Sequence, residues 1–241
     1  MTLPLLRRLR TEATTRERDM RQLIVNTFVT LDGVMQAPGG PEEDPSGGFA
    51  HGGWSAGYWD ERMMASMGEL MARPFDLLLG RRTYEIFAAH WPHVDGPFAG
   101  ALNRATKHVA STTLTRLGWE NAVLIEGDVP AAVAALKARG GPELQVHGSS
   151  GLIQTLLPHD LIDAFRVFTF PLLLGAGKRL FAAGTVPAGL ELVDSETFST
   201  GVILATYRTG AEIRAGSFAP EQPSEAELAR RARLAAEEDG N

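Results

Sequence analysis

Asp76-Leu-Leu-Leu-Gly80-Arg-Arg-Thr-Tyr-Glu-Ile-Phe87 reads as a buried strand that stops at a glycine and opens directly into a helix. Such a junction aims unpaired backbone N–H groups at an anion. Gly80 lets a phosphate approach the backbone closely, Thr83 adds a hydroxyl donor, and Arg81 and Arg82 add charge. An ordinary tight turn with solvated arginines explains this stretch alone equally well. A second junction of the same kind, Glu143-Leu-Gln-Val-His-Gly148-Ser-Ser-Gly151 followed by Leu-Ile-Gln-Thr-Leu-Leu157, tips the balance. It lacks the spacing of a dinucleotide fingerprint but keeps small residues, hydroxyls and a helix start. Two such turns at strand carboxyl ends suit a pyrophosphate.

Outward from these junctions the chain alternates. A nearly continuous apolar and β-branched run over 22–33 predicts a strand buried on both faces, ending at the turn Asp32-Gly33. A glycine- and proline-rich loop, 35–57, follows. A helix is expected over 58–71, where Met63, Met64, Met67, Leu70 and Met71 form a core-facing stripe. Further strands are expected over 75–79, 107–111, 122–126, 143–147 and 164–170. Helices are expected over 83–89, 97–106, 129–138 and 149–157. This order implies βαβ units and a mostly parallel sheet. The segments 190–198 and 202–209, joined by Ser199-Thr200-Gly201, predict an antiparallel hairpin at the sheet edge. The fold class is therefore α/β, a central mostly parallel mixed sheet flanked by helices.

Composition narrows the partners. Of 241 residues, 44% are hydrophobic, enough for a sizeable core, and the formal net charge of −6 with 23 basic residues argues against nucleic acid. No apolar run reaches the roughly 20 residues of a membrane-spanning helix. The absence of cysteine excludes disulfides and thiolate metal sites and suits a reducing, cytoplasmic setting. The histidines are scattered, so no metal is expected. Leu173 to Arg179 resembles half a phosphate loop, yet Leu172 stands where its first glycine belongs and Arg179 replaces the hydroxyl residue. ATP hydrolysis is rejected on that count, although the two cations can hold a substrate phosphate. Residues 1–20 read as a disordered extension and 21–212 as one domain. Residues 213–241 read as a tail with a helix announced by Ser224 and Glu227 in capping-box spacing.

Taken in order, Thr30-Leu31-Asp32-Gly33, Gly80-Arg81-Arg82-Thr83-Tyr84-Glu85, Ser111-Thr112, Gly148-Ser149-Ser150-Gly151 and Pro171-Leu172-Leu173-Leu174-Gly175-Ala176-Gly177 resemble the dihydrofolate reductase-like superfamily. The resemblance is to its branch holding the reductase domain of bacterial riboflavin biosynthesis. It covers roughly residues 21–212 and implies a single dihydrofolate reductase-like domain using NADPH as hydride donor. By that resemblance Gly80, Arg81, Arg82 and Thr83 contact the cofactor phosphates. Ser111 and Thr112 sit near the adenosine ribose and its 2′-phosphate, and Gly148, Ser149, Ser150 and Gly151 cradle the pyrophosphate. The loop from Asp32 to Gly57, with Trp54 and Trp59 as walls, covers nicotinamide and substrate. The segment from Pro171 to Lys178, including Leu174, Gly175 and Gly177, approaches the substrate's phosphoribityl side. Asp60 is the expected catalytic polar group, with Glu61 or water as alternatives. No deaminase domain accompanies these motifs, so full riboflavin-pathway activity is not expected; the expected substrate is a pteridine- or aminopyrimidine-like heterocycle. Dihydrofolate reduction and a non-catalytic nucleotide-binding role are the rival readings. A homodimer through the C-terminal strands is a further expectation.

Overall fold

A computed structural model describes residues 20–183 and 185–239. The extension expected over 1–20 lies outside the described residues except for Met20. One compact unit runs through Ala211, and a second follows it.

The first unit is built on an eight-stranded sheet in the order β4-β3-β2-β5-β1-β6-β8-β7. The strands are β1 (Leu23–Thr30), β2 (Phe75–Gly80), β3 (Lys107–Ala110), β4 (Ala122–Ile125), β5 (Glu143–Val146), β6 (Ala164–Phe170), β7 (Gly189–Thr197) and β8 (Ile203–Ala211). From β4 to β6 every neighbouring pair is parallel. The hairpin β7–β8 adds to β6 antiparallel. The mixed sheet with its C-terminal hairpin is thus the expected one. The helices are α1 (Glu61–Ala72), α2 (Arg81–His90), α3 (Pro97–Arg104), α4 (Val129–Ala138) and α5 (Ser150–Leu156).

The strands sort their side chains between two faces because successive residues point oppositely. Leu23, Val25, Leu78, Leu144 and Val146 join α4 and α5 in one apolar cluster. Leu77 and Leu79 join residues of α2 and α3 in another, while Phe168 and Phe170 meet α1. The chain steps leftward from β1 to β2 and β3, then rightward from β4 to β5 and β6. Right-handed crossovers therefore put α1–α3 on one face and α4–α5 on the other.

Two helix boundaries correct the sequence reading. The helix expected from Tyr58 begins at Glu61, because Asp60 caps it: the Asp60 carboxylate accepts from Met63 N at 2.7 Å. Met63, Met67 and Met71 are buried, but Met64 is 59% exposed and leaves the expected stripe. The helix expected from Thr83 begins at Arg81, so both arginines stand in its first turn.

The second unit carries α6 (Glu225–Asp239). Ser224 Oγ accepts from Glu227 N at 3.2 Å, one half of the capping box. The other half is missing, since the Glu227 carboxylate turns to Arg230 and Arg231. No helix among the described residues is long and apolar enough to cross a membrane.

Candidate active site

Because β3, β2, β5 and β1 lie side by side and parallel, the turns that follow them line up along one carboxyl edge of the sheet. Ligands bind at that edge in open α/β sheets. A cavity of about 1520 Å³ opens there, larger than the usual range for one small ligand. Gly80, Arg81, Arg82, Thr83, Ser111, Thr112, Gly148, Ser149, Ser150 and Gly151 all line it.

The two glycine junctions are stitched together. Ser149 Oγ accepts from Gly80 N at 2.9 Å and donates to Thr83 Oγ1 at 2.6 Å. A Cβ on Gly80 would stand 3.0 Å from Ser149 Oγ. Gly80 is therefore small to admit a neighbouring hydroxyl, and its N–H is already taken, which corrects the expectation of a free donor there. The donors left are those of the first turn of α2, which no side chain caps. Thr83 keeps its own hydroxyl proton to give. Ser149 takes a left-handed φ of 66°, turning the chain sharply into α5. Ser111 Oγ accepts from the N–H groups of Thr113 and Leu114 and so closes the turn after β3. Arg81 pairs with Glu85 at 3.1 Å on the exposed side of α2.

The expected substrate residues lie elsewhere. Asp32, Trp54, Leu174, Gly175, Gly177 and Asp60 do not line the cavity. Asp32 accepts from the N–H groups of Leu174 and Gly175 at 3.2 and 2.8 Å, knitting the two loops together. The Thr30 hydroxyl and those backbone donors hold its carboxyl down to about 2, against the opposing effect of burial. Trp54 is buried, donates from Nε1 to Gln36 O at 2.7 Å and meets Phe170 edge-on. Trp59 packs on Phe28. Leu174 packs in the same apolar cluster as Trp54. A Cβ on Gly177, whose φ is +129°, would fall 2.7 Å from Val34 Cγ1. Asp60 also accepts from Ser199 N at 2.9 Å and from its hydroxyl. The Ser199 hydroxyl, then Met63 N, hold the Asp60 carboxyl low. Its lone pairs serve a helix cap and a hairpin turn. Of the loop 35–57, only the part from Met35 to Asp44 faces the cavity, together with Lys178.

What the sequence reading missed is the polar floor. Glu143, Gln145 and His147 stand on alternate positions, opposite the buried Leu144 and Val146. Glu143 can only accept, so Gln145 Nε2 donates to it at 2.7 Å. Gln145 Oε1 then faces His147 Nε2 at 2.6 Å. That geometry fixes the proton on Nε2 and leaves Nδ1 an acceptor. Burial, then the charge of Arg166, push His147 down to about 4, so the ring is neutral. Asn26, on β1, also lines the cavity, and its Oδ1 is buried without a partner among the described residues. The alternation of polar residues in Glu143–His147 was the available signal.

The RibD C-terminal domain family profile matches residues 21–204. The uncharacterized protein YyaP of Bacillus subtilis is 26% identical over 196 residues, 78% of this chain and 94% of that protein. A crystal structure of a putative riboflavin biosynthesis protein from Shewanella sp. PV-4 superposes with a TM-score of 0.57 at 26% identity, covering 79% of this chain and 99% of the other. The diaminohydroxyphosphoribosylaminopyrimidine deaminase/5-amino-6-(5-phosphoribosylamino)uracil reductase of Thermotoga maritima superposes with a TM-score of 0.52 at 16% identity, over 80% of this chain and 58% of that one.

Proposed function

The chain belongs to the RibD C-terminal domain family, and on that premise we propose that it is an NADPH-dependent reductase delivering a hydride to a pteridine- or aminopyrimidine-like heterocycle. The family is the reductase domain of riboflavin-biosynthesis enzymes, and the fold is dihydrofolate reductase-like. The observation that carries the reading is the row of three turns, after β3, β2 and β5, along one edge of one large cavity.

The residues fit a dinucleotide. In this reading the first-turn N–H groups of α2, with the Thr83 hydroxyl, take the pyrophosphate. Arg81, Ser111 and Thr112 take the phosphorylated ribose end. Bound NADPH would supply the hydride from its nicotinamide. The chain's part is placement, holding donor and acceptor carbons about 3–3.5 Å apart in a water-poor space. Phe28, Trp91 and Phe98 line that space. Neutral His147 and Asn26 offer acceptors for ring N–H groups, so they orient a heterocycle rather than protonate it. With Asp60 and Glu61 outside the cavity, water entering the mouth delivers the proton.

The test is NADPH binding by nucleotide fluorescence, followed by oxidation with dihydrofolate and with aminouracils as acceptors. The reading expects binding and faster turnover with one heterocycle class than with solvent alone. Absence of binding at millimolar NADPH contradicts it.

A further inference from the structure

The wall of the cavity opposite the glycine junctions carries many anion-binding groups, and the chain has filled them itself. Lys178 Nζ is paired with the Asp44 carboxylate and donates to Ser46 Oγ at 2.9 Å. Arg82, reaching across from α2, donates to the same Ser46 oxygen at 2.9 Å and stands 4.0 Å from Asp44. Away from the cavity, Arg179 donates to the carbonyls of Asp32 and Gly175, and the N–H groups of Leu174 and Gly175 are spent on the Asp32 carboxylate.

Asp44 does not swing free. Gln36 Nε2 donates to the carbonyls of Asp44 and Ser46 at 2.8 and 2.9 Å, and Gln36 Oε1 accepts from Lys178 N at 3.0 Å. Burial opposes ionisation of Asp44, but hydrogen bonds from Lys178 and Ser46 outweigh it and lower its carboxyl. Asp44 is thus a fixed anion, and Glu42 and Glu43 line the same wall. A dianionic phosphate arriving there meets the fixed Asp44 charge, which already occupies Lys178 and faces Arg82.

We propose that Asp44 is a specificity-determining residue: it occupies the anion position between Lys178 and Arg82, so the heterocycle this cavity receives carries no phosphate on that side. The inference rests on the reductase reading of the same cavity and restricts its substrate class. It sets this chain apart from an enzyme acting on a phosphoribosyl-bearing pyrimidine. What remains open beside the wall is lined by Asn26, Thr27, Phe28 and His147, groups that suit an uncharged ring.

The test uses the full chain and calorimetric titration with two aminouracils identical except for a terminal phosphate on a ribityl substituent. The wild type is expected to bind the phosphorylated member no more tightly than its partner. Asp44→Asn keeps the size of the side chain and an acceptor for Ser46, but removes the charge and the oxygen that accepts from Lys178. It should shift the affinity ratio about tenfold toward the phosphorylated member, the effect of one charge-assisted contact. The double variant Asp44→Asn/Lys178→Gln should lose that gain. A wild type that prefers the phosphorylated member tenfold, with the preference lost in Asp44→Asn, overturns the proposal.

If neither aminouracil binds, the heterocycle reading fails by itself, and inorganic phosphate still tests Asp44. By ³¹P NMR titration, Asp44→Asn should show one phosphate site more than the wild type, in which only the glycine turns remain to hold phosphate, whereas equal binding overturns the proposal. A gain by Asp44→Asn for NADPH but not NADH also overturns it, because the position would then belong to the cofactor.

Discussion

The turns after β2 and β5 and the loop after β1 border the same cavity, yet they are built by opposite means. The turns are short, and their tie is a single hydroxyl, Ser149, placed between Gly80 and Thr83. They leave donors facing the cavity. The loop is long and spends its polar groups on itself and on Lys178, which follows β6: Gln36, Asp44, Ser46 and Lys178 satisfy one another. A site meant to hold an anion keeps its N–H groups unspent, whereas a wall meant only to shape a pocket closes its own hydrogen bonds. On the proposed reading the turns bind phosphate and the loop excludes it.

The largest way to break that contrast is Gly80→Val. Its Cβ would press on Ser149 at 3.0–3.1 Å, and the added methyls push the two turns apart. Overpacking of this kind costs about 1–3 kcal/mol of stability. NADPH affinity, read by fluorescence titration of the folded variant, should fall by more than about tenfold. Unchanged affinity would mean the turns are not the phosphate site.

Next comes Gly177→Ala on the loop side. A positive φ and a Cβ 2.7 Å from Val34 predict a loss of about 1–3 kcal/mol in denaturant unfolding. NADPH affinity should stay within about twofold. A larger loss of affinity would move the 171–178 segment from the expected substrate side to the cofactor site.

Arg81→Ala should weaken NADPH by about five- to tenfold and NADH much less, the worth of one exposed charged hydrogen bond. Its salt bridge to Glu85 contributes little by itself. Equal losses for both cofactors would remove Arg81 from the 2′-phosphate.

The last test concerns the floor and is read through pH. His147 titrates near 4 when folded against an ordinary 6.5, so between those values the unfolded chain holds the proton and the folded chain does not. Stability therefore falls as pH drops through that window, and this contribution is flat above it. His147→Phe should flatten the wild-type slope in chemical denaturation between about pH 6.5 and 4. An unchanged slope would show that His147 is not a buried neutral ring.

How far each region was legible follows from what carries the information. The parallel core was readable because burial writes itself as apolar runs, and the hairpin because turn residues punctuate it. The glycine turns were readable because backbone geometry and small residues are local. The loop was not. Asp32, Trp54, Gly175 and Gly177 are turn-forming or pocket-forming residue types, and only three-dimensional contacts show that they face inward or lock loops together. Asp60 looked catalytic for a similar reason: an acidic residue before a helix reads the same whether it serves a substrate or a cap. In the floor, the polar alternation over Glu143–His147 was a local signal, but bringing Asn26 beside it needed the pairing of β1 with β5, which no local pattern reports.

The central claim is that the row of turns at the carboxyl edge binds a reduced nicotinamide dinucleotide. Titration of the full wild-type chain with NADPH, in parallel with Gly80→Val, tests it most directly. Saturable binding by the wild type is expected at micromolar to sub-millimolar concentration, strongly weakened in a variant that remains folded. No binding by the wild type at millimolar NADPH, or equal binding by both proteins, would contradict it.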